Sequence, residues 1–264
     1  GQYGLNVIDE VVGVPDAWKH LLEYNGDANY MKAAIEAADK VTTVSPTYAG
    51  QILDPWYACG LDGILQARQF KIQGILNGID YDEYNPKTDK LIVKNYYSGA
   101  FIKGKAACKN DLREYFNLEK DDSPIISIVS RLVDHKGVDI IRDSAERLVN
   151  RGYQLVCLGS GEWQYEEFFR YLAGKYPGRV GVEIGFVPAL ARKIYAGSDM
   201  FLMPSKSEPC GLSQMIALRY GTVPIVRETG GLKDSVKDSL DGEGNGFTFR
   251  GYSADELYDC CMRA

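Results

Sequence analysis

Two polar stretches combine charged side chains with glycines at a spacing that could hold a phosphorylated ligand. Residues 130–137 read SRLVDHKG, with Arg131 and Lys136 near its two ends, and residues 208–213 read EPCGLS. Arginine offers a planar fork of donors and lysine a point charge, a pair suited to two phosphate groups. The first pattern is equally typical of a solvated helix start, and Glu208 could simply cap the helix that follows it.

The segments around these stretches predict the strands and helices that would position them. A short apolar run precedes each stretch, and a segment with apolar residues at helical spacing follows it. The predicted strands are 124–129, 154–158, 180–183, 199–203 and 223–226, and the predicted helices are 104–115, 138–150, 163–175, 189–196, 212–220 and 254–263. Alternation of this kind with short turns predicts an α/β fold with a Rossmann-like parallel sheet.

Such a sheet would place both polar stretches at one edge, because each follows the carboxyl end of a parallel strand. Open α/β sheets bind ligands at that edge, and a helix that begins there favours phosphate or another anion. With Glu208 at the same edge, Arg131 and Lys136 are better explained by diphosphate binding than by a solvated loop.

The first eighty residues contain fewer of these units. We predict a helix over 29–39, a strand over 40–44, a helix capped by Ser45, a loop over 56–63, a short helix over 64–70, and a strand that starts at Gly74 and runs into an Asn-Gly turn at Asn77. One strand–helix–strand unit is not a complete doubly wound sheet. The polar, turn-rich residues 81–89 are typical of a hinge between domains.

The composition of the 264-residue chain excludes several classes of protein. Its net charge of −6 argues against a nucleic-acid partner, which usually meets a basic face. No apolar run reaches the ~18 residues of a membrane span, and the first residues do not form a signal peptide. The six cysteines lack metal-ligand spacing, and we interpret them as free thiols of a reducing, cytoplasmic compartment.

Three runs in the second half resemble a known family when taken in order. Residues 208–212 (EPCGL), 219–224 (RYGTVP) and 229–232 (TGGL) are similar to the glycogen and starch synthases, retaining glycosyltransferases of the two-domain GT-B architecture. Many related transferases carry a second glutamate at the position of Ile216, so this departure favours the synthase group.

The resemblance also implies how the chain is divided. Residues 41–80 resemble the end of the family's acceptor-side domain, and the opening of that domain has no counterpart here. We therefore expect a chain truncated at both ends: 1–80 as a remnant of the N-terminal domain, 81–122 as hinge and linking helix, and 123–264 as a nucleotide-sugar-binding domain whose last helix is cut short. The missing part of the N-terminal domain would then be a partner.

The resemblance implies roles for individual residues. Arg131 and Lys136 would hold the diphosphate and stabilise the departing nucleoside diphosphate, and Glu208 would bind glucose hydroxyls. The donor would also be contacted by Asn77, Ser130, Gly159, Phe186, Cys210, Gly211, Leu212, Ser213, Thr229 and Gly230. Three of these have plain structural alternatives, since Gly159 suits a tight turn, Asn77 an Asn-Gly turn and Phe186 the edge of a core.

The implied reaction is the transfer of glucose from ADP-glucose to the 4-OH at the non-reducing end of an α-1,4-glucan, with retention and without a metal ion. The expected location is the bacterial cytoplasm or, less favoured, the plastid stroma. One alternative is a nucleotide-sugar-binding module without catalysis, and another is a different GT-B transferase or a sugar phosphorylase. The run 208–214 argues against that second alternative.

Overall fold

The computed structural model describes residues 2–264, except for the side chain of Asp241, as two compact units. The first unit ends at Leu76, and the second is Asn77–Ala264. None of the helices in the described residues is both long and apolar enough to cross a membrane.

The first unit combines two small sheets with short helices. Strands β1 (Gln2–Tyr3), β2 (Glu23–Tyr24) and β3 (Asp27–Asn29) form an antiparallel sheet, and β4 (Val41–Thr43) and β5 (Ile72–Gly74) form a parallel pair. The helices are α1 (Asp16–Leu22), α2 (Tyr30–Ala37), α3 (Pro46–Gln51), α4 (Pro55–Ala58) and α5 (Asp62–Ala67). A π-helical turn, Ile8–Val12, and a 3₁₀ turn, Gln69–Lys71, complete the unit.

Local capping explains where the predictions for the first unit succeed and fail. Ser45 caps α3 as predicted, because its Oγ accepts from the Tyr48 amide at 2.9 Å. The predicted loop over 56–63 is wrong at both ends, because Asp54 accepts from the Trp56 amide at 2.8 Å and so begins α4, and α5 already begins at Asp62. The strand predicted from Gly74 onward is also wrong, because β5 ends at that residue.

The second unit is built on a six-stranded sheet whose strands all run parallel, as predicted. The strands are β6 (Ile125–Val129), β7 (Gln154–Gly159), β8 (Val180–Ile184), β9 (Met200–Met203), β10 (Val223–Arg227) and β11 (Phe247–Phe249). Their order across the sheet is β11-β10-β9-β6-β7-β8. The chain order reverses between β6 and β9, which is where open α/β sheets have their ligand crevice.

Helices cover both faces of this sheet. They are α6 (Ile102–Tyr115), α7 (Val138–Asn150), α8 (Trp163–Lys175), α9 (Pro188–Gly197), α10 (Ser213–Arg219), α11 (Gly230–Ser235) and α12 (Ala254–Arg263). Successive residues of β6 face opposite sides, so Ile126 packs in the core beneath α7, α8 and α12, and Ile125 packs with residues of α6 and α9. Both faces of the central strands are therefore buried, as their apolar sequences predict.

Within the second unit, the segment between residues 81 and 101 is fastened to α9 and the end of α10 by a buried polar network. The Arg192 guanidinium on α9 lies 3.1 Å from the Tyr220 hydroxyl and 2.7 Å from a Glu83 carboxylate oxygen. The Tyr220 hydroxyl in turn donates to Asp89, which is itself buried. The hydroxyl and the guanidinium satisfy one buried carboxylate between them, which holds this segment against α9 and the end of α10.

Candidate functional site

The loops that follow β6 and β9 bring the two polar stretches together. These strands are neighbours in the sheet and run parallel, so residues 130–137 and 204–211 leave it at the same edge. The Lys136 Nζ donates to Glu208 Oε2 at 2.6 Å, and the Ser205 hydroxyl donates to the same oxygen at 3.2 Å. The two charged side chains are only 17% and 9% exposed. The predicted juxtaposition of Lys136 and Glu208 is therefore present as a largely buried ion pair.

The backbones of these two loops approach too closely for a side chain between them. Gly137 has φ +76°, and a Cβ added there would lie 2.2 Å from the Pro204 carbonyl oxygen. Nearby, the Lys206 amide donates to the His135 carbonyl at 3.0 Å. Only glycine satisfies both the left-handed conformation and the contact, so Gly137 positions Lys136 as well as ending the 3₁₀ turn Asp134–Lys136.

Arg131 adds a second positive charge at this edge. Its side chain is exposed, and its Nη2 lies 3.3 Å from His135 Nε2. Among the described residues it has no carboxylate partner. Burial lowers the pKa of His135, and the cations Lys136 and Arg131 lower it further. The imidazole is therefore neutral near pH 7, and the Arg131 guanidinium is available to an external anion.

The loop after β7 lies directly against the loop after β6. The Leu132 amide donates to the Ser160 carbonyl at 2.9 Å, and the Ser130 hydroxyl donates to the Arg131 carbonyl at 3.0 Å. A Cβ on Gly159 would lie 2.0 Å from the Ser130 carbonyl oxygen. The close backbone approach thus accounts for Gly159 without any ligand, in line with the tight-turn alternative.

Residues 229–231 pack against the backbone of the Glu208 loop. The Gly231 amide donates to the Glu208 carbonyl at 3.1 Å, and a Cβ on Gly230, where φ is +44°, would lie 2.0 Å from the same oxygen. Thr229 is fully buried at the start of α11. These residues hold the backbone of Glu208 in place.

The loop that leads into α10 is fixed by a glutamine and carries a buried thiol. The Gln214 amide nitrogen donates to the carbonyls of Cys210 at 3.1 Å and Gly211 at 2.9 Å. Burial raises the pKa of the Cys210 thiol, and a hydrogen bond from the Asn77 backbone N–H to its sulfur acts in the opposite direction. The structure therefore brings Asn77 beside this loop and keeps Cys210 protonated, as expected of a residue that is not a nucleophile. Helix α10 begins at Ser213, one residue later than predicted, and Leu212 is exposed.

The Phe186 side chain packs in none of the hydrophobic cores of the described residues. It follows β8, and its side chain is 90% exposed. The alternative that it packs at the edge of a core is therefore wrong. An exposed phenylalanine just beyond the carboxyl end of a parallel strand has its ring free to stack on a planar group.

Two side chains that the sequence did not single out also belong to this edge. Lys206 lies between the polar stretches and pairs with Asp134 at 2.6 Å. Tyr252 follows β11 and bonds to Asp139 through its hydroxyl. Lys206 stands inside the motif-rich segment and could have been suspected, whereas no local pattern marks Tyr252.

A cavity in the described residues lies outside this cluster. A cavity of about 500 Å³ is found at the far end of α10, lined in part by Tyr96, Phe101 and Arg219. No group of three or more His, Cys, Asp or Glu side chains in the described part of the chain is arranged to hold a metal ion. None of the residues that line the cavity belongs to the Lys136–Glu208 cluster.

Two models of known protein families match parts of this chain. Residues 111–261, more than half of the chain, match the model described as "Glycosyl transferases group 1", and residues 1–67 match the "Starch synthase catalytic domain". The chain therefore belongs to the group 1 glycosyl transferases.

Individual curated relatives give a narrower classification than the family models do. A glycogen synthase from Alkaliphilus metalliredigens is 49% identical over 246 residues, which cover 92% of this chain and 52% of the relative. One from Clostridium kluyveri is 46% identical over 262 residues, which cover 97% of this chain and 55% of the relative. The resemblance to glycogen and starch synthases is thus confirmed, and the chain spans about half the length of the curated relatives it matches.

Solved structures confirm the fold. The catalytic domain of Starch Synthase IV from Arabidopsis thaliana, bound to ADP and acarbose, superposes with a TM-score of 0.91 at 34% identity, covering 99% of this chain and 56% of that one. Anabaena Alr3699/HepE in complex with UDP-glucose has a TM-score of 0.61 at 18% identity, covering 86% and 54%, and shows the fold alone. The α/β architecture is that of the GT-B glycosyltransferases.

Proposed function

We propose that this chain carries the donor site of a glycogen or starch synthase, which transfers glucose from ADP-glucose to the non-reducing 4-OH of an α-1,4-glucan with retention. The observation that carries the proposal is the pairing of Lys136 with Glu208 at the sheet edge, beside an Arg131 with no carboxylate partner in the described residues. The curated relatives are glycogen synthases, and the Arabidopsis structure contains ADP.

In this proposal the two cations bind the diphosphate and do the electrostatic part of catalysis. Glycosyl transfer places negative charge on the departing nucleoside diphosphate, and fixed charges aimed at that position stabilise the transition state. Arg131 can bind two phosphate oxygens at once, and Lys136 adds a point charge. Because these cations meet the charge of the leaving group, the proposed mechanism uses no metal cofactor.

Glu208 and its neighbours take the sugar side of the donor. The Glu208 carboxylate accepts a hydrogen bond from Lys136, so the two side chains are neighbours. A bound nucleotide-sugar would therefore place its diphosphate on the lysine and its glucose hydroxyls on the glutamate. The backbone amides of Cys210 and Gly211 are assigned to the sugar, and those of Leu212 and Ser213 to the phosphates. Asn77, whose backbone N–H donates to the Cys210 sulfur, lies beside this loop and is assigned to the same sugar.

The setting of the reaction is part of the same proposal. The acceptor is an α-1,4-glucan, the remainder of an acceptor-side domain is a partner, and the bacterial relatives favour the cytoplasm of a bacterium. Transfer requires donor and acceptor to meet in a closed cleft. Donor binding without transfer by this chain would assign it the narrower function of a nucleotide-sugar-binding module.

Calorimetric titration with ADP, UDP, ADP-glucose and UDP-glucose tests the proposal. We expect the two adenine ligands to bind, and to bind more tightly than the two uridine ligands, because adenine offers a larger ring than uracil to stack on the exposed Phe186, while the diphosphate is common to all four. Absence of binding by all four ligands would contradict the proposed function. Tighter binding of the uridine pair would keep the transferase but reassign its donor.

Replacing Phe186 with alanine tests the base contact separately. We expect ADP affinity to fall about tenfold, the scale of base stacking on an aromatic ring. The melting temperature should not change, because the ring is 90% exposed and contributes little to the core. Tyr171→Ala, on the exposed face of α8, is the matched control and should alter neither quantity. Unchanged ADP affinity in Phe186→Ala would remove the residue from the site.

A further inference from the structure

We propose that Lys206 is a positioning residue that holds the loop 130–137 against the loop 204–208, so that Arg131 and Lys136 are presented together to an anionic ligand. The identity of that ligand as a diphosphate rests on the proposed function. The positioning itself rests on contacts within the second unit.

Lys206 contacts the loop 130–137 and the start of α7 through both its side chain and its backbone. Its Nζ lies 2.6 Å from Asp134 Oδ2 and 3.5 Å from Asp139 Oδ2, and its amide donates to the His135 carbonyl at 3.0 Å. Asp134 and Asp139 lie on either side of Lys136 in the sequence. One residue of the β9 loop therefore fastens both flanks of the segment that carries Lys136.

Lys206 is itself held, through its side chain and its backbone carbonyl, by residues that follow or end two further strands. Its Nζ lies 4.9 Å from the centre of the Tyr252 ring, and the hydroxyl of that tyrosine bonds to Asp139. Arg227, at the end of β10, donates to the Lys206 carbonyl at 3.0 Å. Loops after β6, β9, β10 and β11 thus meet at this lysine, and such a network fixes geometry better than a single surface pair does.

The charge distribution separates Lys206 from the ligand-binding cations. Its ammonium is shared by two carboxylates, and its hydrogen bond lowers the pKa of Asp134, which keeps that partner ionised. Arg131 has no such carboxylate in the described residues. Lys206 therefore acts on the anion site through the loop, by neutralising two acids beside Lys136 that would otherwise compete for it and repel an anion.

The decisive experiment compares Lys206→Met with Lys206→Arg and with a matched control, Lys193→Met. Lys193 also forms a partly exposed pair, 2.9 Å from Asp111, but it lies on α9 and contacts neither loop. Two quantities are measured: ADP affinity by calorimetry, and hydrogen exchange of the amides of Leu132, Lys136 and Gly137, which are all hydrogen-bonded within or beside the loop.

We expect Lys206→Met to weaken ADP binding about tenfold and to speed amide exchange in the loop by a similar factor, the scale of coupling within a side-chain network. Lys206→Arg should restore most of both, because it keeps the charge near Asp134. Lys193→Met should change neither, even if it lowers the melting temperature as much.

Unchanged loop exchange in Lys206→Met would overturn the inference. Faster exchange in Lys193→Met to the same extent would also overturn it, since the effect would then be general destabilisation. If the unmodified chain binds no nucleotide, the proposed function fails, while the exchange measurement still decides whether Lys206 positions the loop.

Discussion

Replacing Lys136 with methionine is expected to weaken ADP binding at least about thirtyfold, because it removes a charge-assisted contact to the diphosphate. The same change should lower the free energy of unfolding by about 3 kcal/mol, because it leaves the Glu208 carboxylate buried without its cation. The ammonium and the carboxylate are 2.6 Å apart and mostly shielded from water, so solvent replaces little of what the substitution removes.

Substitution of Glu208, the partner of Lys136, separates the effect on stability from the effect on ADP binding. Glu208→Gln should retain or tighten ADP binding, because Lys136 is then unshared and a like charge near the diphosphate is gone. In the double variant Lys136→Met/Glu208→Gln no buried charge remains, so stability should largely return while ADP affinity stays low. Equilibrium denaturation and calorimetry on the four proteins complete the cycle.

Lys109→Met is the control for this experiment. Lys109 pairs with Asp199 at 2.7 Å with a similarly shielded side chain, but Asp199 precedes β9 and so lies at the opposite edge of the sheet. This variant should lose stability and keep its ADP affinity. The diphosphate assignment fails if Lys136→Met binds ADP as the unmodified chain does, or if Lys109→Met loses affinity equally.

Replacing Gly137 with alanine should destabilise the second unit by about 3 kcal/mol or more, the sum of a left-handed backbone and a steric clash. The new Cβ would lie 2.2 Å from the Pro204 carbonyl oxygen, which belongs to backbone and cannot simply rotate away. The loops 130–137 and 204–208 would have to separate, so ADP affinity should fall as well. Chemical denaturation and calorimetry measure the two effects.

Gly221→Ala is the matched control because it isolates the cost of the backbone conformation. Gly221 has φ +70°, close to that of Gly137, but the nearest atom to its added Cβ is Lys105 Cδ at an ordinary 3.5 Å. We expect a loss of about 1 kcal/mol, typical of alanine in a left-handed position. Equal losses in the two variants would show that the contact between Gly137 and Pro204 carries no energy.

Local physics explains how much of the fold could be predicted. The helices over 138–150, 163–175 and 254–263 have the predicted bounds, because periodic apolar residues and flanking glycines act within a few turns. Helix α4 was missed because its start depends on one capping carboxylate, Asp54. The strand expected from Gly74 onward was misplaced because the pairing of β5 with β4 begins at Ile72 and ends at the bond from the Ile75 amide to the Thr43 carbonyl, at 2.8 Å.

The sequence by itself determined the parallel α/β class and the two polar stretches, since residue type, periodicity and turn chemistry are local properties. Only the tertiary structure decided that β6 and β9 are neighbours, because strand order depends on contacts between residues more than seventy positions apart. That adjacency turns Lys136 and Glu208 into one buried pair. It also gives Lys206 partners from three other strand ends, which no spacing along the chain could reveal.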